Sequence, residues 1–125
     1  MKIIIETIPH DTQRYPTAGD WYTRDGTLHI KVSEELPEKE ALLVAIHELV
    51  EVSLCKDRGV TECQVDAFDI EYEKNRDSAD DSEPGDSPLA PYQKEHFFAT
   101  SIERLMAAEL KVNWLEYGDH ISALP

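Results

Sequence analysis

The sequence predicts a single α+β domain in which a small antiparallel β-sheet at the N-terminus packs on about four helices. Two observations support this class: the strand signals come first, and segments with helical spacing and helix caps follow without a further strand between them. Strands alternating with helices would instead indicate βαβ units and a parallel sheet. The 125 residues have the length of one domain, covering residues 1–125.

The predicted sheet consists of one strand and one hairpin. The β-branched run Lys2–Thr7 predicts a strand. Asp25-Gly26, a strong signal for a two-residue hairpin turn, separates Trp21–Arg24 from Thr27–Val32. Apolar residues alternate in the second of these segments, so we expect one buried face, with His29 on the opposite face.

Capping signals bound the first two predicted helices. The first begins near Pro37, a favoured residue of the first helical turn, and ends before Gly59. The second opens with a capping box at Thr61 and runs to about Asn75. Because only a tight turn joins the two helices, we expect them to pack antiparallel.

An acidic loop and two more helices are predicted in the rest of the chain. Residues 77–88 hold five acids, three serines, two prolines and one glycine, a composition typical of a flexible surface loop. A third helix runs from about Pro91 to about Lys111, and a fourth begins at Asn113. The predicted core stripe of the third helix is Phe98, Ile102, Leu105 and Met106.

Charge and composition exclude several classes of function. The net charge of −14, from 26 acidic and 12 basic side chains, argues against direct binding to nucleic acid or to an anionic membrane. No stretch is apolar for long enough to span a bilayer, and the apolar run at the N-terminus is too short for a signal peptide. We therefore expect a cytoplasmic protein, in which Cys55 and Cys63 are reduced thiols.

The most informative segment is His47–Glu51, which places an imidazole and two carboxylates in the otherwise apolar first helix. Buried charges need a partner, and a metal ion suits all three groups. His47 and Glu51 lie one helical turn apart on one face, as the two ligands do in the H-E-x-x-H zinc helix. Glu48, between them, then has the position of the base that takes a proton from water. A polar stripe facing solvent is the alternative interpretation.

A catalytic zinc needs a third protein ligand. His96 is the best candidate, because it lies near the start of the third helix on the same face as Glu103. A histidine in solvent at the helix entry is the alternative. Asp66 and Asp69, on one side of the second helix, are candidates for an additional ligand or for orienting a ligand imidazole; a solvated acidic face is their alternative.

In its order of parts, a hairpin followed by a helix that carries His47-Glu48-x-x-Glu51, the chain resembles a minimal zincin, the zinc-metallopeptidase-like fold. This resemblance covers roughly Trp21–Arg58. It implies a zincin-like fold, a divalent metal bound by His47 and Glu51, Glu48 as the catalytic residue, and a peptide or protein substrate. The chain as a whole also resembles small proteins encoded by phages and bacteria, with the likeness in Ile46–Val52, Val65–Ile70 and Glu95–Leu105.

Three questions stay open from the sequence. Glu51 stands where a typical zincin has histidine, and a carboxylate is a harder ligand, so manganese or iron are alternatives to zinc. An all-α nucleotide pyrophosphatase would hold magnesium between Glu48, Glu51, Asp66 and Asp69, although the predicted strands and His47 argue against it. The third interpretation is a non-catalytic acidic module that binds another protein.

Overall fold

The computed structural model describes residues 1–77 and 80–125, so the predicted loop 77–88 falls partly on Ser78 and Ala79, outside the described residues. The protein is α+β, as predicted, with a three-stranded sheet and four helices in the described ranges. The strands are β1 (Lys2–Ile8), β2 (Gly19–Arg24) and β3 (Thr27–Ser33). The helices are α1 (Glu38–Asp57), α2 (Glu62–Lys74), α3 (Gln93–Glu109) and α4 (Trp114–Ser122).

The sheet is mixed, with the strand order β1-β3-β2. β2 and β3 form the predicted hairpin, and Asp25 and Gly26 both have positive φ angles, 52° and 76°, as a type I′ turn requires. The prediction of an antiparallel sheet is wrong for β1, which pairs with β3 in parallel. Residues 9–18 cross the end of the sheet, so that β2 lies on the other side of β3 from β1. β3 then returns antiparallel to β2 and therefore runs parallel to β1.

One face of β3 carries the core. Leu28, Ile30 and Val32 are buried, and α1 packs against this part of the sheet. On the opposite face His29 stacks on Tyr22, with ring centroids 5.1 Å apart. The alternation predicted for this strand is therefore confirmed.

α1 and α3 form an antiparallel pair. Lys39 Nζ donates to the carbonyl oxygen of Leu110 at one end of the pair, and Arg58 forms a salt bridge with Glu95 at the other. Among the helices this is the most extensive contact, and it brings the second half of α1 beside the first half of α3.

The predicted core stripe of α3 is wrong for Phe98 and Leu105, whereas Met106 packs against the core. Phe98 is 51% exposed and Leu105 is 66% exposed, whereas Ile102 and Met106 are half-buried. The buried positions of α3 are Glu95, His96, Ala99, Glu103 and Ala107. The buried face of α3 thus combines alanines with charged groups, and two of these, His96 and Glu103, bond Glu51 and His47 of α1.

α1 likewise buries charged groups and exposes an apolar side chain. Glu40, His47 and Glu51 are buried, whereas Leu42 is 52% exposed. The alternative of a polar stripe facing solvent is therefore excluded for His47 and Glu51.

The ends of the helices agree with the capping signals. Thr61 caps α2 with the predicted capping box, and the Asn113 side chain accepts a hydrogen bond from Glu116 N at the start of α4.

The predicted packing of α2 along α1 is not found. α2 contacts a short 3-10 turn at Pro84–Asp86 and does not lie along α1. Both cysteines are free, and among the described residues none of the helices has the length and apolarity to span a bilayer.

Candidate metal centre

Three buried side chains converge where α1 and α3 meet. His47 Nε2 lies 3.1 Å from Glu51 Oε2, and His96 Nδ1 lies 3.0 Å from the same oxygen. The two imidazole nitrogens are 3.2 Å apart. The structure thus brings together all three predicted ligands, although His96 is 45 residues from Glu51 in the sequence.

The size of this triangle suits a metal ion. Two ligand atoms bound to a tetrahedral zinc at 2.0–2.1 Å are about 3.3 Å apart, close to the three separations found here. Two histidines and one glutamate form a known ligand set of catalytic zinc, and two histidines with one carboxylate also bind iron(II). The donor atoms therefore fit a divalent cation without rearrangement of the helices.

A carboxylate holds the far side of the His47 ring. His47 Nδ1 donates to Glu103 Oε1 at 2.8 Å, and the Tyr117 hydroxyl donates to Glu103 Oε2 at 2.5 Å. Because Nδ1 is committed to Glu103, Nε2 is the nitrogen that faces the triangle. Such carboxylate–histidine pairs are the usual support of metal-binding histidines.

His96 is supported in the same way from the segment before α3. His96 Nε2 lies 3.0 Å from Glu83 Oε2 and 3.2 Å from Asp86 Oδ1. Gly85, between these acids, packs directly on the ring, and a Cβ atom there would overlap His96 Cγ and Nδ1. Glu83, Asp86 and His96 form a second group able to hold a cation, but it uses the opposite nitrogen of the same imidazole.

The third ligand also has a partner on its far side. Trp21 Nε1 donates to Glu51 Oε1 at 3.3 Å, which leaves Oε2 for the triangle. β2 carries Trp21, so the sheet, α1, α3 and the turn before α3 all contribute to the centre.

The carboxylates around the two imidazoles favour their protonated, positively charged forms when no metal is bound. Burial disfavours a charge on Glu51, but hydrogen bonds from His47 and His96 outweigh this and lower its pKa to about 2. Burial also opposes protonation of His96, yet Glu51 and Glu83 raise its pKa to about 10. The pKa of His47 is raised well above its ordinary value by Glu103 and Glu51, again against the effect of burial. A metal ion would therefore displace protons from both imidazoles.

Glu48 lies beside the triangle and lines the same cleft. Its pKa is raised well above the ordinary value, first because it is removed from solvent and second because of the charge on Glu51. A raised pKa makes the ionised form of this carboxyl group a better proton acceptor.

Asp66 and Asp69 have other partners. Arg14 bonds both oxygens of Asp66, at 2.9 and 3.1 Å, and also binds Asp20. Asp69 is buried and accepts hydrogen bonds from the hydroxyls of Tyr15, at 2.9 Å, and Tyr92. Neither aspartate belongs to the possible cation-binding groups among the described residues. The arrangement therefore does not favour the pyrophosphatase interpretation, and the solvated acidic face predicted for α2 is wrong for Asp69.

A cleft of about 770 Å³ opens onto the triangle and Glu48. The segment 80–86 forms one side of it, near His96, and α4 forms another, near Glu103. Clefts that hold small ligands have volumes of a few hundred to about 1,000 Å³, and this cleft falls in that range.

Sequence reasoning did not predict the outer partners of the three ligands. Glu103 had a signal, since it follows His96 by seven positions and therefore lies on the same face of α3. Trp21, Glu83 and Asp86 reach the centre only through tertiary contacts, and no local pattern marks them.

Comparison with known proteins finds no matching family model, no matching curated protein and no matching solved structure.

Proposed function

We propose that this protein is a metal-dependent hydrolase with a zincin-like centre, and that it cleaves peptide bonds. The observation that carries the proposal is the triangle of His47, Glu51 and His96. Each ligand is held on its far side by another protein group, and the near side faces a cleft. Three buried charged groups would add little to the stability of the fold by themselves, because the cost of removing them from water offsets much of their mutual attraction.

Each side chain has a defined task in this proposal. Zinc bound at the centre would polarise a substrate carbonyl and acidify a water molecule. His47, Glu51 and His96 hold the ion, and Glu103 keeps the His47 ring in the orientation that presents Nε2. Glu48 takes the proton from the attacking water and passes it to the leaving amine, which makes it the catalytic residue.

Metal analysis and a cleavage assay test the proposal together. Protein purified without chelator is expected to contain about one zinc per chain, and His47→Ala should abolish this. His29→Ala is the matched control, because His29 lies on the opposite face of β3 and should leave the metal content unchanged. Zinc-loaded protein should cleave an unfolded, fluorophore-quenched protein substrate, and a chelator should stop the reaction. Retention of zinc by His47→Ala would contradict the ligand assignment.

One observation favours a second candidate, a non-catalytic module that binds another protein. Leu42, Phe98 and Leu105 are each at least half exposed on the outer faces of α1 and α3. Exposed apolar side chains on neighbouring helices are common where a partner docks. If the purified protein contains no metal and cleaves no substrate, but binds a partner that Leu105→Asp removes, this second candidate replaces the hydrolase.

A further inference from the structure

The cleft over the metal centre is strongly acidic. Eleven of its described lining residues are aspartates or glutamates, and one is an arginine. That arginine, Arg76, is already engaged, because its guanidinium forms two hydrogen bonds of 2.8 Å with Glu73. A single divalent cation and the two histidines of the centre cannot balance so many carboxylates.

Part of this negative charge is neutralised inside the protein. Arg14 pairs with Asp20, and Glu51, Glu83 and Glu103 are the partners of the two histidines. Asp81 and Asp119 differ from these, because both are exposed and line the cleft. They are therefore free to meet a group that enters from solvent.

These two aspartates come from different elements that line the cleft. Asp81 precedes the turn whose acids bond His96. Asp119 lies in α4, two positions after Tyr117, which bonds Glu103 behind His47. Exposed carboxylates from two separate parts of the chain thus line the cleft that opens onto the triangle.

We infer that the cleft selects peptides that carry lysine or arginine side chains near the bond placed over the metal centre. The inference names the substrate class for the proposed hydrolase and rests on that function. It has two supports: three buried residues whose ligand atoms lie close together line the cleft, and so do exposed carboxylates. A cleft lined by one sign of charge concentrates ligands of the opposite sign.

A binding measurement tests the inference without turnover. Zinc-loaded Glu48→Gln protein is titrated into three fluorescent peptides of equal length, whose flanking residues are lysine, glutamine or glutamate. We expect the lysine peptide to bind at least about 10-fold more tightly than the glutamine peptide at low salt, and the preference to shrink as salt rises. Equal binding of the lysine and glutamine peptides would overturn the inference.

Paired variants show whether the preference belongs to this cleft. In the Glu48→Gln background, Asp81→Asn with Asp119→Asn should weaken binding of the lysine peptide several-fold. Glu34→Gln with Glu109→Gln is the matched control, because it removes the same charge from exposed positions outside the cleft. An equal loss from both pairs would mean that only the overall charge matters, which contradicts the inference.

Cleavage of the same peptides by the unsubstituted protein separates the two proposals. If no peptide is cleaved but the lysine preference persists, the hydrolase is wrong and the cationic preference stands. If the glutamine peptide is cleaved as fast as the lysine peptide, the hydrolase stands and the inference is wrong.

Discussion

His47 and Glu103 are 56 residues apart in the sequence, yet His47 Nδ1 donates to Glu103 Oε1 at 2.8 Å inside the contact between α1 and α3. The pair fixes which nitrogen of His47 is available to a ligand. It also explains why α3 buries a glutamate where a leucine would be expected.

Replacing Glu103 should weaken metal binding without removing a ligand. Glu103→Gln keeps the shape of the side chain but loses the charge that supports the His47 ring, and we expect a loss of about 10- to 100-fold in zinc affinity. Competition with a chelating dye measures this. Glu109→Gln, at an exposed position on the same helix, is the control. Equal zinc affinities for the two variants would show that Glu103 does not support the ligand.

Replacing Glu48 should separate metal binding from catalysis. We expect Glu48→Gln to keep its zinc, because Glu48 is not one of the three converging ligands. Turnover should fall at least about 100-fold, because the amide cannot accept the proton from water. Metal content and kcat, measured on one preparation, decide the outcome, and an active variant would exclude Glu48 as the base.

Zinc binding should release protons. We expect both imidazoles of the centre to carry protons in the metal-free protein near neutral pH, since the pKa of His96 is raised to about 10 and that of His47 is also raised. Each zinc ion should displace about two protons, so the apparent affinity should rise about 100-fold for each unit of pH between 6 and 8. Calorimetry in two buffers of different ionisation enthalpy counts the protons, and a count of zero would contradict the predicted protonation.

Asp69 should make stability depend on pH. Burial raises its pKa from an ordinary value of 3.8 to about 7, although hydrogen bonds from Tyr92 and Tyr15 oppose this. Asp69 loses its proton at a lower pH in the unfolded chain than in the folded protein. The free energy of unfolding therefore falls as the pH rises from about 4 to 7, by up to roughly 4 kcal/mol. We expect the difference in unfolding free energy between wild type and Asp69→Asn, measured in urea with chelator, to shift by a few kcal/mol over this range. A constant difference would contradict the assignment.

Two glycine substitutions should affect different properties, zinc affinity in one case and the free energy of unfolding in the other. A Cβ atom at position 85 overlaps the His96 ring, so Gly85→Ala must displace the turn or the ligand and should weaken zinc binding. Gly118 lies inside α4, and a Cβ there has no neighbour within 4 Å. Gly118→Ala should therefore raise the unfolding free energy by about 0.5–1 kcal/mol and leave zinc affinity unchanged. Thermal melts with and without zinc distinguish the two effects, and a Gly85→Ala protein with normal zinc affinity would contradict the predicted contact.

Local chemistry explains which parts of the fold could be predicted. The Asp25-Gly26 turn and the caps at Thr61 and Asn113 were found because each depends on hydrogen bonds or φ angles within a few residues. The parallel pairing of β1 was missed because it depends on the path of residues 9–18 around the sheet, which no local pattern specifies.

The centre was predicted for the same kind of reason. His47 and Glu51 are neighbours on one helix, so their spacing alone placed them together. His96 was found because it stands on a helix face with Glu103, but that face was expected beside the core rather than inside it. The apolar pattern of α3 was misleading, because α3 buries His96 and Glu103 and exposes Phe98 and Leu105.

The outward apolar faces of α1 and α3 have a consequence for how the chain finds its structure. A helix with leucine, isoleucine and valine on nearly every side gains similar hydrophobic free energy in several rotations about its axis. The imidazole–carboxylate contacts form in only one rotation of each helix about its axis, so they specify how α1 and α3 face each other. Removing these contacts should therefore leave the rotation of the two helices relative to each other less sharply defined.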